Sequence, residues 1–484
     1  MILTIIFIIL CFGIFLIFLT SFENKQLIRA VALSTSSSVL LLSTFLLIEF
    51  DFNILYFQHV LDCFFDLNFL NLTFSFGLDG LSIYFFFLTA LLIFLCILFS
   101  WEIENIKELS ILLLLLDLLL LLVFSILDLF LFYVFFEAIL IPMFFLIGFL
   151  GSRARKIRAS YLLFFYTLIG SVFMLLGIIY IYYITGTLDI EYLSVFEFSP
   201  IEQQWLWLAF FLSFASKIPM FPFHIWLPEA HVEAPTVGSV LLAGILLKLG
   251  VYGFLRYSIT IFPMASFYFS PLIYLLSSIG IIYTSLTAIR QTDIKRIIAY
   301  SSIAHMNLVT LGIFSFTVMG LEGSILQSLS HGFVSGGMFF LVGILYDRYH
   351  SRLLYYFGGL VHTMPIYSSI LLIFTLANIA IPGTSSFVGE FLLFCGVYQS
   401  SIIICIICAF SVILCGAYSL WLYNRLVFGN IKNLYTKNFK DLTLKEFVIL
   451  MFLLLPILII GISPSFFSVG LKMISSSLSI VLIG

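Results

Sequence analysis

SKIPMFPFHIWLPEAHVEAP, residues Ser216 to Pro235, sits inside a chain of membrane-length apolar stretches. Lys217 is a charge placed in hydrocarbon, which costs about 2.5–3.5 kcal/mol on insertion scales. Pro219 and Pro222 follow it at once and remove backbone donors, so the helix carrying the lysine breaks just beyond it. A charge beside a broken helix at mid-membrane depth is the signature of an ion path. This segment therefore predicts a transporter.

The rest of the chain agrees. Of 484 residues, 63% are hydrophobic and only 9% are charged, against about 25% charged in soluble domains. The net charge of −3 gives no sign of nucleic-acid binding. The 58 Phe, with abundant Ile, fit an AT-biased genome such as a mitochondrial one. Met1 to Leu19 lacks a basic leading region and a cleavage site, so it reads as a first membrane helix.

Fourteen apolar windows of about 20 residues can be drawn. They include 128–150, 204–227, 237–262, 294–316, 320–346 and a long one at 362–396. Basic residues test the count. Lys25, Arg29, Lys107, the Arg153–Arg158 cluster, Arg290, Lys295, Arg296, Arg348, Arg352, Arg425, Lys432, Lys437 and Lys440 all follow odd-numbered windows. Arg256, late in the eighth, is the exception. Trp101, Trp205, Trp207 and Trp421 fall near window ends, as interfacial anchors should. The insertion Asp51 to Leu78 is expected to pack on the outer surface.

Polar spacing reveals a repeat. Glu137 and Lys217 are 80 residues apart, His305 and Glu390 are 85 apart, and each pair ends beside a helix breaker. The breakers are Pro219 with Pro222, and Pro382 with Gly383. Windows 4–8 and 9–13 then form two units, and an offset of five windows inverts one against the other. The expected fold is an all-α polytopic membrane protein of about fourteen helices. It has two inverted five-helix repeats and broken helices 7 and 12. The segments are 1–108 (helices 1–3), 109–262 (first repeat), 263–428 (second repeat) and 429–484 (helix 14 and tail).

Six residues are candidates for proton transfer. Glu137, in LFYVFFEAILIPMFF, is a lone carboxylate; burial favours its neutral acid and a nearby lysine its charged form. The alternative is a structural ion pair joining two helices. Lys217 is its natural partner. Lys248, in LLAGILLKLGVYGFL, lies too far from either window end to snorkel. His305 and His331 occupy adjacent windows among Ser and Gly, where water has room, or serve as hydrogen-bonded packing residues. Glu390 follows the Pro382-Gly383 break, where it is either a proton carrier or a helix-start carboxylate held by free amides.

Other polar groups are read as bland. Asp293, Lys295 and Arg296 lie at a window start on the positive side. Glu229, His231 and Glu233 are taken as a connection, either solvated or guiding protons inward. Cys405 and Cys408 form a CxxC, but no further ligand completes a zinc site, so they read as apolar fillers. Asp117, inside a leucine run, has no assigned role. No GxGxxG, Walker A, cysteine-cluster or haem motif occurs, so no cofactor is expected to bind this chain.

Several runs carry a family resemblance: Lys217 to Gly250, Ile298 to Gly312, Leu329 to Arg348, Leu376 to Phe391 and Asp128 to Gly148. They resemble the antiporter-like membrane-arm subunits of NADH:ubiquinone oxidoreductase, respiratory complex I. HVEAP after LPEA is similar to the subunit 4 branch in its mitochondrial form. The resemblance covers roughly residues 76–430. It implies a fourteen-helix proton-translocating subunit of the mitochondrial inner membrane. Glu137 and Lys217 would be the first-half pair, Lys248 and His305 the central link, His331 its continuation and Glu390 the terminal carboxylate. It implies partners among the other membrane-arm subunits, especially the antiporter-like subunits 2 and 5, and surrounding lipids. NADH, FMN, iron–sulfur clusters and ubiquinone would belong to the rest of the complex. Two further readings share the residues: a cation/proton antiporter without NADH oxidation, and a purely structural scaffold.

Overall fold

The computed structural model describes residues 1–54, 56–67, 72–103, 105–432, 440–465 and 467. Lys437, one of the basic residues that set the topology expectation, lies outside them.

Each apolar window is occupied by helix. In chain order the elements are α1 (Ile2–Leu19), α2 (Lys25–Glu49), the strands β1 (Gln58–Leu67) and β2 (Leu72–Leu78), α3 (Ser82–Phe99), α4 (Ile106–Ser125), α5 (Leu129–Ala138), α6 (Leu140–Leu150), α7 (Lys156–Thr185), α8 (Ile190–Val195) and α9 (Pro200–Lys217). There follow α10 (Trp226–Glu233), α11 (Thr236–Leu241), α12 (Leu247–Gly253), α13 (Ile259–Ile261), α14 (Pro263–Tyr268), α15 (Ser270–Arg290), α16 (Ile294–Ile313) and α17 (Val318–Tyr349). The chain continues through α18 (Leu360–Thr363), α19 (Pro365–Asn378), α20 (Ser385–Ser400), α21 (Ile402–Val427) and α22 (Leu444–Ile462).

Among the described residues, eleven spans are long and apolar enough to cross a membrane. The other three windows are helical but interrupted or charged. The seventh is split into α9 and α10, and the twelfth into α19 and α20. The tenth, α16, opens with Lys295 and Arg296.

The second break has a clear local cause. Ala380 adopts φ 62 just past α19. The Ala380 amide donates to the Ala377 carbonyl, and the Ile381 amide donates back to Leu376. That is a Schellman ending with alanine in the left-handed position. Pro382 cannot resume the helix, and Gly383, at φ 94, turns the chain into α20.

One departure from an all-helical chain is the antiparallel hairpin of β1 and β2, with Gln58 opposite Leu78 and Asp62 opposite Ser75. The sequence alone predicts only an insertion on the outer surface here. Its short alternation was masked by a high aromatic content, and pairing between strands is non-local.

Two compact units emerge. The described residues of the first lie within Met1–Lys217 and Lys248–Phe269; those of the second lie within Ile218–Leu247 and Ser270–Val469. These boundaries differ from the repeat boundaries at 108/109 and 262/263. The break after Lys217 frees α10 and α11 from α9, and they pack on α16 and α17 within the second unit.

The same backbone device recurs inside each unit. In the first, Leu129 donates to Leu188 O at 2.9 Å and Ile190 to Leu127 O at 3.0 Å, so Asp128 and Asp189 form a bridge. In the second, Ile294 donates to Arg352 O and Leu354 to Thr292 O, both at 3.0 Å, so Asp293 bridges Leu353. Asp128 and Asp293 each also cap the helix they precede. Both bridges join the start of one helix to the segment after the next. Their positions correspond under the repeat expected from the sequence, with windows 4–8 matched to 9–13.

Arg256, the exception to the charge pattern, lies in the first unit 2.5 Å from Asp79 and donates to Tyr252 Oη at 3.3 Å. Its charge is used inside the protein, so it does not act as a topology signal. Trp207 is a correction. It is fully buried, donates to Ser266 Oγ at 3.0 Å and stacks on Phe211 and Phe269, so it is a core residue. Trp205 beside it is 71% exposed and suits the interfacial reading.

Candidate functional site

The first unit builds a buried acid–base pair from two interrupted helices. Asp128 opens α5, accepting from the amides of Phe130 and Leu131 at 2.8 and 3.0 Å. The helix is interrupted at Ile139, between α5 and α6. Pro142 explains the position: it has no amide hydrogen for the Ala138 carbonyl one turn back, and its ring crowds that carbonyl. Glu137 occupies the last turn before the interruption. Lys217 is the final residue of α9.

The Lys217 ammonium lies 3.6 Å from Glu137 Oε1, and the two side chains are 3% and 17% exposed. It also donates to the Phe136 carbonyl at 3.0 Å and sits 3.9 Å from the Phe136 ring centroid. Carboxylate, carbonyl and ring face together hold one cation, which makes its charged form tolerable here. Close packing of α7 on α9 supports the lysine. A Cβ on Gly170 would come within 2.7 Å of Leu212 O and 2.8 Å of Ser216 Oγ.

The second unit builds its own pair. His305 Nδ1 is 2.9 Å from Glu390 Oε1. Gln327 Nε2 donates to the same oxygen at 3.0 Å. The His331 ring lies 5.9 Å from that of His305. His305, His331 and Glu390 are all buried. Glycines let α17 and α20 touch: a Cβ on Gly389 would meet Gln327 Oε1 at 2.7 Å, and one on Gly323 would meet Leu393 N at 2.6 Å. Without that approach Gln327 could not reach Glu390. A small cavity with room for a water molecule touches His305, Glu390, Ser285, Ser411, Cys415 and Tyr418.

Lys248 is fully buried. It lies in α12, flanked by π-helical stretches Leu242–Leu246 and Phe254–Ser258. Such wide turns are frequent at functional positions because they disturb the regular backbone ladder.

Several groups read as bland are more than that. His231 and Glu233 are not a solvated connection; they are buried on α10, the second half of the broken helix. Lys295 is buried too and donates to Ala234 O at 2.9 Å and Ser239 Oγ at 3.1 Å. Ser239 in turn donates to His231 O at 3.1 Å, and the His231 ring stacks on Phe339 at 4.6 Å. Arg296 pairs with Glu229 at 2.8 Å in a half-exposed position. Gln327 was missed altogether, although a lone amide in LEGSILQSLSHG is a visible signal. Cys415 and Tyr418 carried no signal, because a lone cysteine or tyrosine inside an apolar helix reads as packing. Cys408 packs with Ile281, Leu308, Leu393 and Val397, as a filler does. Asp117 is 1% exposed, and neither carboxyl oxygen has a hydrogen-bond partner among the described residues.

Comparison with known proteins follows this geometry. A family model described as NADH:quinone oxidoreductase/Mrp antiporter, TM, matches residues 126–416. The chain is 50% identical to NADH-ubiquinone oxidoreductase chain 4 of Chondrus crispus, covering 94% of this chain and 93% of that one. It is 52% identical to the chain 4 protein of Arabidopsis thaliana, over 94% and 92%. Among solved structures it resembles a chain of respiratory complex I from Thermus thermophilus, with TM-score 0.90, 31% identity and 100% coverage of both chains. A chain of the Mrp complex from Dietzia sp. DQ12-45-1b shares the fold alone, with TM-score 0.84 and 19% identity over 99% of each. On the strength of the family match and of relatives half identical over nearly the whole chain, this protein belongs to the NADH:quinone oxidoreductase/Mrp antiporter membrane family.

Proposed function

We propose that this multi-pass chain is the proton-translocating membrane subunit of NADH:ubiquinone oxidoreductase. It couples electron transfer in other subunits to proton movement across the membrane. The redox chemistry, with NADH, FMN, iron–sulfur clusters and ubiquinone, belongs to those other subunits. The membrane is the mitochondrial inner membrane, and the neighbours in the arm are the antiporter-like subunits 2 and 5. The three interrupted or charged helical windows are counted as crossings, which makes fourteen. Residues 109–262 and 263–428 are taken as the two inverted repeats.

One observation carries the reading: each unit holds its own buried acid–base pair beside an interrupted helix. These are Lys217 with Glu137 at 3.6 Å and His305 with Glu390 at 2.9 Å. A charge in such surroundings is stable only while its partner is present. If Glu137 gains a proton or turns away, the Lys217 ammonium loses most of its stabilisation and gives up a proton. Restoring the carboxylate recharges the lysine. In the second unit the proton is exchanged directly between Glu390 and His305, with His331 next in line. Lys248 passes protons between the two halves. The full proposed path is Glu137, Lys217, Lys248, His305, His331 and Glu390.

The test is the assembled complex carrying Glu137→Gln or Glu390→Gln in sealed vesicles. Both changes are expected to lower NADH-driven proton uptake and coupled NADH oxidation while the complex still assembles. Normal pumping by either variant removes that residue from the path.

A further inference from the structure

Building on the proton-path reading, the geometry points to Cys415 as the positioning residue that keeps a hydrogen on His305 Nε2, so that the histidine exchanges its proton with Glu390 only through Nδ1. The argument is a count of hydrogens. Cys415 Sγ donates its one hydrogen to the Asn378 carbonyl, at 3.3 Å. That carbonyl belongs to the last turn of α19, where the broken helix leaves carbonyls without amide partners. The sulfur then has only lone pairs to offer. The Tyr418 hydroxyl donates to it at 3.0 Å. His305 Nε2 at 3.8 Å and the donating Asn378 side-chain amide at 4.0 Å complete its neighbours, and a contact with a sulfur acceptor requires that Nε2 bear hydrogen.

Two states of the pair meet that requirement. In one, Glu390 is a neutral acid donating to Nδ1, and Nε2–H points at sulfur. In the other, Glu390 is a carboxylate, Nδ1–H donates to it, and Nε2–H still points at sulfur. One proton crosses the 2.9 Å Nδ1···Oε1 contact between them, and no other bond changes. The tautomer with bare Nε2 leaves sulfur and ring nitrogen facing each other as acceptors. Cys415 disfavours it, and so keeps the ring from stalling with its hydrogen on the wrong side.

Volume and polarity separate this role from simple packing. In the assembled complex, Cys415→Ser keeps a donor for Asn378 and lone pairs for His305. Cys415→Val keeps bulk but loses both, and Cys415→Ala loses bulk as well. The rate of NADH-driven proton uptake is measured for each beside Glu390→Gln. The expected result is near-parental pumping for the serine variant and a loss of about two- to tenfold for valine and alanine, the range one net hydrogen bond supports. The proposal is overturned if valine pumps like the parent, or if serine falls as far as alanine. Should valine not assemble, serine against alanine decides the matter in the same way. A Glu390→Gln variant that pumps normally removes the path itself. An impaired Glu390→Gln beside an unaffected Cys415→Ala removes only the role of the cysteine.

Discussion

Lys217 shows what a residue's chemistry demands of its surroundings. Its ammonium is met by a carboxylate, a carbonyl and a ring face, all from α5. Lys217→Arg preserves charge but holds its proton far more tightly. It is expected to assemble normally yet restore only part of the proton uptake, measured against the parent complex in vesicles. Parental uptake with arginine means the charge never leaves this position. Asp117 is the opposite case, a buried acid in a leucine run with no partner for either oxygen among the described residues. Replacing such a group by an apolar one of similar shape relieves an unmet desolvation cost of about 1–3 kcal/mol. Asp117→Leu is therefore expected to raise the thermal inactivation temperature of the complex and leave proton uptake unchanged. A clear loss of uptake would place Asp117 among the working carboxylates.

At the scale of elements, interruptions and close approaches position the chemistry. Glu137 precedes the break enforced by Pro142, and Lys217 ends α9. Glu390 stands one turn inside α20, after the Schellman ending of α19. The contact of α17 with α20 rests on Gly323 and Gly389. Gly389→Ala would push Gln327 away and cost about 1–3 kcal/mol as an overpacked contact. It is expected to lower turnover although no titrating group is changed; parental turnover would mean that Gln327 is dispensable. Arg256 and Asp79 tie the residue before α3 to the end of the eighth window. Burial pushes the Asp79 carboxyl up, but the Arg256 guanidinium and the hydrogen bonds from Ser82 together outweigh it and hold the group below its usual 3.8. A depressed folded value means that the pair contributes stability above the ordinary carboxylate pKa. That contribution is lost as pH falls through the lower folded one. Asp79→Asn should therefore be less stable than the parent near pH 7, and the gap should close as the buffer is acidified below about pH 4. A pH-independent gap would assign the effect to packing.

For the whole molecule, the proposed path makes a claim about series order. If Glu137 and Glu390 act in one chain of transfers, the double Gln variant should be no worse than the more impaired single variant. Independent parallel paths would instead give losses of flux that add, so the double variant would fall below either single one. Proton uptake by the two single variants and the double variant decides between them. The paired backbone bridges, Asp128 with Asp189 and Asp293 with Leu353, give each unit the same internal frame. Each of the two buried pairs rests on such a frame.

The amino-acid sequence by itself determined the membrane environment, the positions of the helices, the two interrupted ones, five of the buried polar residues and the partly exposed Glu137. Hydropathy, proline chemistry and the cost of charge in hydrocarbon are local properties, readable from a short window. Only tertiary structure decided which of those residues meet. It brought His305 to Glu390 across 85 residues, recruited Gln327 and Cys415, and turned Lys295 inward to Ser239. It also divided the seventh window, so that Lys217 belongs to one compact unit and His231 to the other. The physical reason is that a buried polar group must find partners wherever the packed backbone offers them. Those partners come from helices distant in sequence, through glycine contacts and free carbonyls that no local pattern records.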